Sequence, residues 1–139
     1  MKDRSCVFCK IVAGEIPAEI IHETEGVITF VDNSPANFGH CLVAPKTHYK
    51  NIYTIPEKIW ADMNIEAKNI ARAIKKSMGV EGINIISNNE PAAGQVIFHS
   101  HIHVVPRLTN DGFKWWPTKK YQFDNQKKEI GDKIRAELI

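Results

Sequence analysis

Three histidines occupy alternate positions in the run Gly94-Gln95-Val96-Ile97-Phe98-His99-Ser100-His101-Ile102-His103. Successive side chains of an extended strand point to opposite faces, so this spacing predicts all three imidazoles on one face and Ser100, Ile102 and Val104 on the other. Two chemistries use such a row. Several imidazoles can hold a metal ion, or a central imidazole can act as a nucleophile between neighbours that orient it and carry protons. Alternate residues lie ~6.6 Å apart along a strand, so one ion would need converging rotamers, whereas a nucleophile with two flankers needs no distortion. His101 is therefore expected to be the nucleophile. An imidazole with a free pKa of ~6.5 is largely neutral at pH 7, and a phosphorus–nitrogen bond hydrolyses readily, which suits phosphoryl or nucleotidyl transfer. Gly94 lets the preceding backbone come close to a ligand, and the loop amides there could donate to phosphate oxygens.

A second constellation is Cys6-Val7-Phe8-Cys9. Its two-residue gap lets both thiolates reach one tetrahedral ion; a redox pair and two solvated thiols are the alternatives. The chain has three cysteines, and in a reducing compartment an odd count with this spacing reads as metal or redox chemistry rather than a structural disulfide. Asp32 follows the apolar run that ends at Val31. Its carboxylate could accept both hydroxyls of a ribose, or open an Asx-turn over Asp32-Asn33-Ser34-Pro35, and the two roles are compatible.

The elements that must position these residues are legible as strands around one helix. Residues 20–21 and 27–31 read as strands joined by a turn at Glu25-Gly26, with a third strand at 41–44 ended by Pro45. Thr54-Ile55-Pro56-Glu57 has the form of a capping box with proline in the first turn. After it Ile59, Met63, Ala67, Ile70, Ile74 and Met78 recur at steps of three or four up to Gly79, one apolar helical face that should pack on a sheet. Residues 83–87 and 96–105 are further strands, joined by the loop 88–95. Strands in blocks around one helix suit an antiparallel α+β domain better than repeated βαβ units. The tail bears Trp115-Trp116-Pro117 and then a short helix with Ile130, Ile134 and Leu138 at steps of four.

At 139 residues the chain matches a single domain, 1–139, of the usual ~100–150 residues. Hydrophobic residues at 43% and charged residues at 24% are ordinary for a globular protein, which excludes intrinsic disorder. Eighteen Lys+Arg against sixteen Asp+Glu leave +2, scattered rather than striped, so no nucleic-acid partner is expected. No apolar run approaches the ~18 residues of a membrane helix, and the start of the chain leads into no signal-peptide core, so neither a membrane partner nor export is expected and the location is expected to be cytoplasmic.

The segment 94–107 resembles the signature of the histidine-triad (HIT) family of nucleotide hydrolases and transferases, His-x-His-x-His followed by two apolar residues. Phe30-Val31-Asp32-Asn33-Ser34-Pro35, the block 39–48 and the block 6–17 resemble family segments in the same order, so the likeness covers about 6–107 and leaves 108–139 as a variable tail. It implies a five-stranded antiparallel sheet with one long central helix and a short C-terminal helix, paired as a homodimer around a purine nucleotide. By this resemblance His101 attacks the α-phosphorus to form a nucleotidyl-histidine, which water hydrolyses. His103 and His40 assist as phosphate contacts, proton carriers or orienters. Asn88 is implied as a ribose or phosphate contact, with Asp32, Gln95, Phe30 and His103 also in the nucleotide site. Phe8, Ile11 and Val31 would wall the purine pocket or belong to the core.

The uridylyltransferase branch has glutamine at the third triad position; His103 therefore favours a hydrolase, acting on a phosphoramidate or a dinucleoside polyphosphate. Val96 departs from the serine or threonine of eukaryotic phosphoramidases and can donate no hydroxyl to phosphate. Zinc-containing members imply a structural zinc held by Cys6, Cys9, His48 and His99, with His40, Cys41 and His103 as rival fourth ligands. Two other functions remain open: a zinc-stabilised nucleotide-binding module with little turnover, and a metal-dependent oxygenase or hydrolase. Of the remaining candidates, His22 is expected to be a solvated surface histidine and Cys41 a small buried hydrophobe. The tryptophan pair is expected to pack on its own domain.

Overall fold

The computed structural model describes residues 3–138. Five strands form one antiparallel sheet: β1 (Ile20–Glu23), β2 (Val27–Val31), β3 (Cys41–Pro45), β4 (Gly82–Ile86) and β5 (Ile102–Arg107), in the order β1-β2-β3-β5-β4. The helices are α1 (Val7–Val12), α2 (Glu57–Met78) and α3 (Gln126–Glu137). The α+β class, the antiparallel sheet and the long helix are as expected, as is the turn before β2, where Thr24 N–H donates to the Val27 carbonyl and Thr24 Oγ1 accepts from Val27 N–H.

Strand alternation divides the core between the two faces of the sheet. Val27, Cys41, Val43, Ile102 and Val104 meet Met63, Ala67, Ile70 and Ile74 of α2; Ile28, Phe30, Leu42 and Ala44 meet Cys6, Phe8, Cys9 and Ile11 around α1. Fully burying an aliphatic or methionine side chain contributes about 1.5–3 kcal/mol, so the apolar stripe of α2 anchors one face. The other face carries the chemistry. His103 pairs with Leu42 in the β3–β5 register and so projects toward α1.

Three expectations need correction. The strand expected over 96–105 begins only at Ile102. Upstream, Ser100 N–H donates to the Tyr49 carbonyl at 2.6 Å and the His99 ring is tied to the Pro45 carbonyl, so the backbone follows those partners instead of a ladder. The capping box does not form: Pro56 is the N-cap without a side-chain bond, and Thr54 Oγ1 donates to the Asn51 carbonyl. Helix α1 carried too short a periodicity to be read from the sequence. His22 is exposed at the surface, as expected, and its Nδ1 lies 2.7 Å from the buried Glu66 carboxylate, which also accepts from Thr29 Oγ1. Trp115 and Trp116 do not bury themselves on the domain; they are 69% and 71% exposed. Nor does α3 bury any residue. Cys41 is buried, as expected.

Candidate functional site

The start of α1 gathers both thiols because Cys6 is its N-cap, its Sγ accepting from Cys9 N–H. His48, just after β3, and His99, just before β5, meet them there. Cys6 Sγ lies 3.4 Å from His99 Nδ1, Cys9 Sγ 3.4 Å from His48 Nδ1 and 3.6 Å from His99 Nδ1, and the two Nδ1 atoms are 3.2 Å apart. These four donor atoms lie within 4.8 Å of one another. His99 Nε2 faces the Pro45 carbonyl at 2.8 Å; it must donate there, which leaves Nδ1 as a bare lone pair turned to the cluster. Burial pushes the His99 pKa down to about 4, so the ring is neutral, the form that binds metal. Two thiols and two imidazoles at these separations fit a tetrahedral ion. Of the rival fourth ligands, Cys41 faces the α2 side and bonds the Gly39 carbonyl, while His40 and His103 pair with each other.

His101 lies beside this cluster. Its Nδ1 is 2.7 Å from the His99 carbonyl, which can only accept, so the proton sits on Nδ1 and Nε2 carries the lone pair. Phe8 packs edge-on against His101 at 5.0 Å and His99 at 5.8 Å between ring centroids. Burial lowers the His101 pKa, opposed by its bond to the His99 carbonyl and by Asp32. On its other flank the His103 ring stands 4.9 Å away, and His103 Nδ1 is 2.9 Å from His40 Nε2. Burial holds His103 at about 4 and lowers His40. All three rings are therefore neutral at pH 7.

Asp32 performs the Asx-turn, its Oδ1 accepting from Ser34 N–H at 2.8 Å, while Oδ2 stands 3.5 Å from His40 Nε2. Asn88 faces Gly94, whose φ of +87° needs glycine; a Cβ there would lie 3.7 Å from Asn88 Nδ2. Gln95, expected among the nucleotide contacts, spends its side chain on backbone: Oε1 accepts from Glu90 N–H, and Nε2 donates to the carbonyls of Lys50 and Ile97. It braces the loop. Phe30 is 3% exposed, its ring edge-on to Phe8 at 5.2 Å, so it lies beneath Phe8 in the core. Val96 is exposed. The structure thus brings His40, His101, His103 and Asp32 together, with the four cysteine and histidine donors alongside.

Asn37 and Asp111 were not read from the sequence as site residues. Asn37 Nδ2 donates to the Pro106 carbonyl and to Asp111 Oδ2, and Arg107 forks onto the Asp111 carboxylate. Nothing in their spacing distinguishes them from ordinary turn residues.

Comparison with known proteins gives a consistent picture. The family model described as HIT domain matches residues 13–110. An uncharacterized HIT-like protein of Methanocaldococcus jannaschii is 40% identical over 127 residues, 90% of this chain and 98% of that one. The adenylylsulfatase HINT3 of Arabidopsis thaliana is 42% identical over 106 residues, 76% of this chain and 54% of that protein, so the chain spans about half its length. The adenosine 5'-monophosphoramidase HNT1 of Saccharomyces cerevisiae is 33% identical over 139 residues, 99% of this chain and 82% of that one. Among solved structures, SMU.412c from Streptococcus mutans superposes with a TM-score of 0.92 at 38% identity, covering 98% of this chain and 87% of that one. A Zn-bound histidine triad family protein from Mycobacterium smegmatis gives 0.74 at 38% identity, covering 95% and 91%.

Proposed function

The chain belongs to the HIT domain family, and from that premise we propose that it is a hydrolase that cleaves a purine nucleotide at its α-phosphate through a nucleotidyl-histidine on His101. The observation that carries this reading is the His101 tautomer. With Nδ1–H given to the His99 carbonyl at 2.7 Å, the Nε2 lone pair is available without prior loss of a proton. His101 Nε2 bonds to the α-phosphorus as the bond to the leaving group breaks. His103 holds its proton on Nε2, since its Nδ1 accepts from His40, and from there hydrogen-bonds the departing group, which leaves as ammonia from an N-protonated phosphoramidate or as a polyphosphate anion. Water then attacks the phosphorus, its proton passing to solvent, and the phosphorus–nitrogen bond breaks to release the nucleoside monophosphate and neutral His101. Val96 has no hydroxyl, so no side chain at that position shares the leaving-group proton. Asp32 would accept the ribose hydroxyls, while Asn88 and the backbone around Gly94 and Gln95 would take the phosphate and Phe8, backed by Phe30, would wall the base. The relatives named adenylylsulfatase and adenosine 5'-monophosphoramidase support a hydrolase of this general kind.

Cys6, Cys9, His48 and His99 would hold zinc, the ion bound in the mycobacterial neighbour. Bound there, the ion would cross-link α1 to the ends of β3 and β5, and with four protein donors no position would remain for water. Two copies pairing as a homodimer is part of the same reading, supported by the edge strand β4 with half-exposed Ile85 and by the uncovered Ile130 and Ile134. Free cysteines suit a reducing, cytoplasmic compartment; among the described residues no helix is long and apolar enough to cross a membrane. The test is to incubate the purified protein with adenosine phosphoramidate and with a dinucleoside polyphosphate, with and without chelator, and to separate the products by chromatography. Release of AMP from at least one, in both conditions, is expected; no release from either refutes the hydrolase.

A further inference from the structure

Two groups of side chains bring potential metal donors within 4.8 Å of one another: Cys6, Cys9, His48 and His99, and also Asp32, His40 and His103. The position of one proton separates them. His99 gives its Nε2–H to a carbonyl and keeps Nδ1 bare. His40 is arranged the other way round, because its Nδ1 lies 3.0 Å from the Ala36 N–H and accepts from it. A neutral imidazole has one N–H and one lone pair, so the His40 proton must sit on Nε2. From there it points at His103 Nδ1 at 2.9 Å, with Asp32 Oδ2 at 3.5 Å. His103 Nδ1 is then an acceptor, and its own proton must sit on Nε2. One backbone amide thereby sets two tautomers, and it removes the Nε2 lone pair that a metal ion would need on His40.

The Ala36 amide is aimed by a bracketed loop. Asp32 N–H donates to the His40 carbonyl at 2.9 Å and His40 N–H to the Asn37 carbonyl at 3.1 Å. Asn37 spends both protons of its side-chain amide, on the Pro106 carbonyl at 2.8 Å and on Asp111 Oδ2 at 2.9 Å. Asp111 is held in turn by Arg107 Nε at 2.7 Å and Nη2 at 2.8 Å and by the amides of Leu108 and Phe113. Arg107 Nη1 reaches Asn84 Oδ1 on β4. The Arg107 guanidinium keeps the Asp111 carboxyl well below the usual carboxylate range, so the bracket stays charged at any working pH. Gly39 closes the loop from the other side: at φ +95°, a Cβ would stand 2.6 Å from Met78 Sδ and 3.3 Å from Pro106 Cγ.

We propose that Asn37, locked by the Asp111–Arg107 pair, is a positioning residue that presents the Ala36 amide to His40 and so fixes the tautomers of His40 and His103. The rate consequence rests on the hydrolase reading; the tautomers do not. Zinc-loaded protein labelled with 15N-histidine is examined at pH 7 by long-range 1H–15N correlation of the imidazole rings, assigned by difference with His40→Gln and His103→Gln. Wild type shows both rings as Nε2–H. Asn37→Ala, and separately Asp111→Asn, shift His40 to a mixture containing Nδ1–H. Removing one oriented hydrogen-bond donor to developing charge costs ~100- to 1,000-fold, so partial loss of the correct tautomers lowers kcat at least about tenfold while KM stays within about twofold. Nδ1–H on His40 in wild type overturns the proposal without any variant. So does a folded, zinc-loaded Asn37→Ala or Asp111→Asn whose His40 remains wholly Nε2–H. Wild type with the expected tautomers and no turnover of either nucleotide would refute the hydrolase and leave the positioning role standing.

Discussion

Cys6→Ser separates the metal site from the helix it opens. Cys6 is at once the N-cap of α1 and a donor of the Cys6/Cys9/His48/His99 cluster, so a substitution that removed both roles would say little. Serine is itself a preferred N-cap, its hydroxyl accepting the Cys9 N–H now given to Sγ. The cap survives and the thiolate does not. Bound zinc stabilises the folded chain by mass action, about 2.7 kcal/mol when free zinc is 100 times its Kd and about 4.1 kcal/mol at 1,000 times. A ΔΔG of 1 kcal/mol moves Tm by roughly 4 °C in a domain of this size, so loss of the ion lowers Tm by roughly 10–15 °C. Elemental analysis is expected to find close to one zinc per chain in wild type and little in Cys6→Ser. Calorimetry then supplies the control: in strong chelator, with time to exchange, the wild-type Tm falls to that of the variant. Metal-free, fully stable wild type would refute the site, and a gap between wild type and variant that persists after complete zinc removal would refute the assignment of the loss to metal.

Asp32→Asn loses charge-assisted bonds to two ribose hydroxyls, and at ~1.5–3 kcal/mol for a bond to a charged group, nucleotide affinity falls at least about tenfold; titration calorimetry that finds it unchanged contradicts the ribose role. Brief mild chelation leaves wild-type turnover intact, since a closed site has no water to activate; a rate that vanishes while the protein stays folded would revive the metalloenzyme. Burial holds His103 at about 4, below the ordinary 6.5, and lowers His40, so as acid is added the unfolded chain takes up protons first. Their contribution is full above about pH 6.5 and is lost as pH falls toward about 4, and the urea midpoint drops between pH 7 and pH 5, less steeply in His103→Gln; a flat wild-type midpoint refutes this. Met63 is fully buried between α2 and the sheet, and Met63→Ala costs about 2–5 kcal/mol by denaturant unfolding, a loss below 1 kcal/mol being inconsistent with the packing.

The sheet was legible because β2, β3 and the face of α2 carry clean period-2 and 3.6-residue patterns. The residues 96–101 were not, because their apolar and histidine alternation imitates a strand while Ser100 N–H donates to the Tyr49 carbonyl and the Gln95 side chain just before them holds the Lys50 carbonyl. The triad still assembles, through a turn of the backbone that sends His99 to the cysteines and His101 toward His103. The cysteine spacing pointed to a metal from the sequence, and the family resemblance supplied His48 and His99; residue types alone could not have chosen them over His40. Local pattern is silent on Asn37 and Asp111, 74 residues apart, because what joins them is tertiary. The same holds for Phe30 and Gln95, whose residue types suit a nucleotide pocket but whose side chains the fold directs to Phe8 and to backbone.

The proposed hydrolase depends on a covalent bond between His101 Nε2 and phosphorus. Wild type mixed with adenosine phosphoramidate, quenched in alkali within the first turnovers and weighed intact, is expected to show a fraction heavier by one adenylyl group, mapped by fragmentation to His101. His101→Ala, folded and zinc-loaded, should bind the nucleotide, turn over none and show no adduct. An adduct on another residue, or full activity in His101→Ala, would contradict the account.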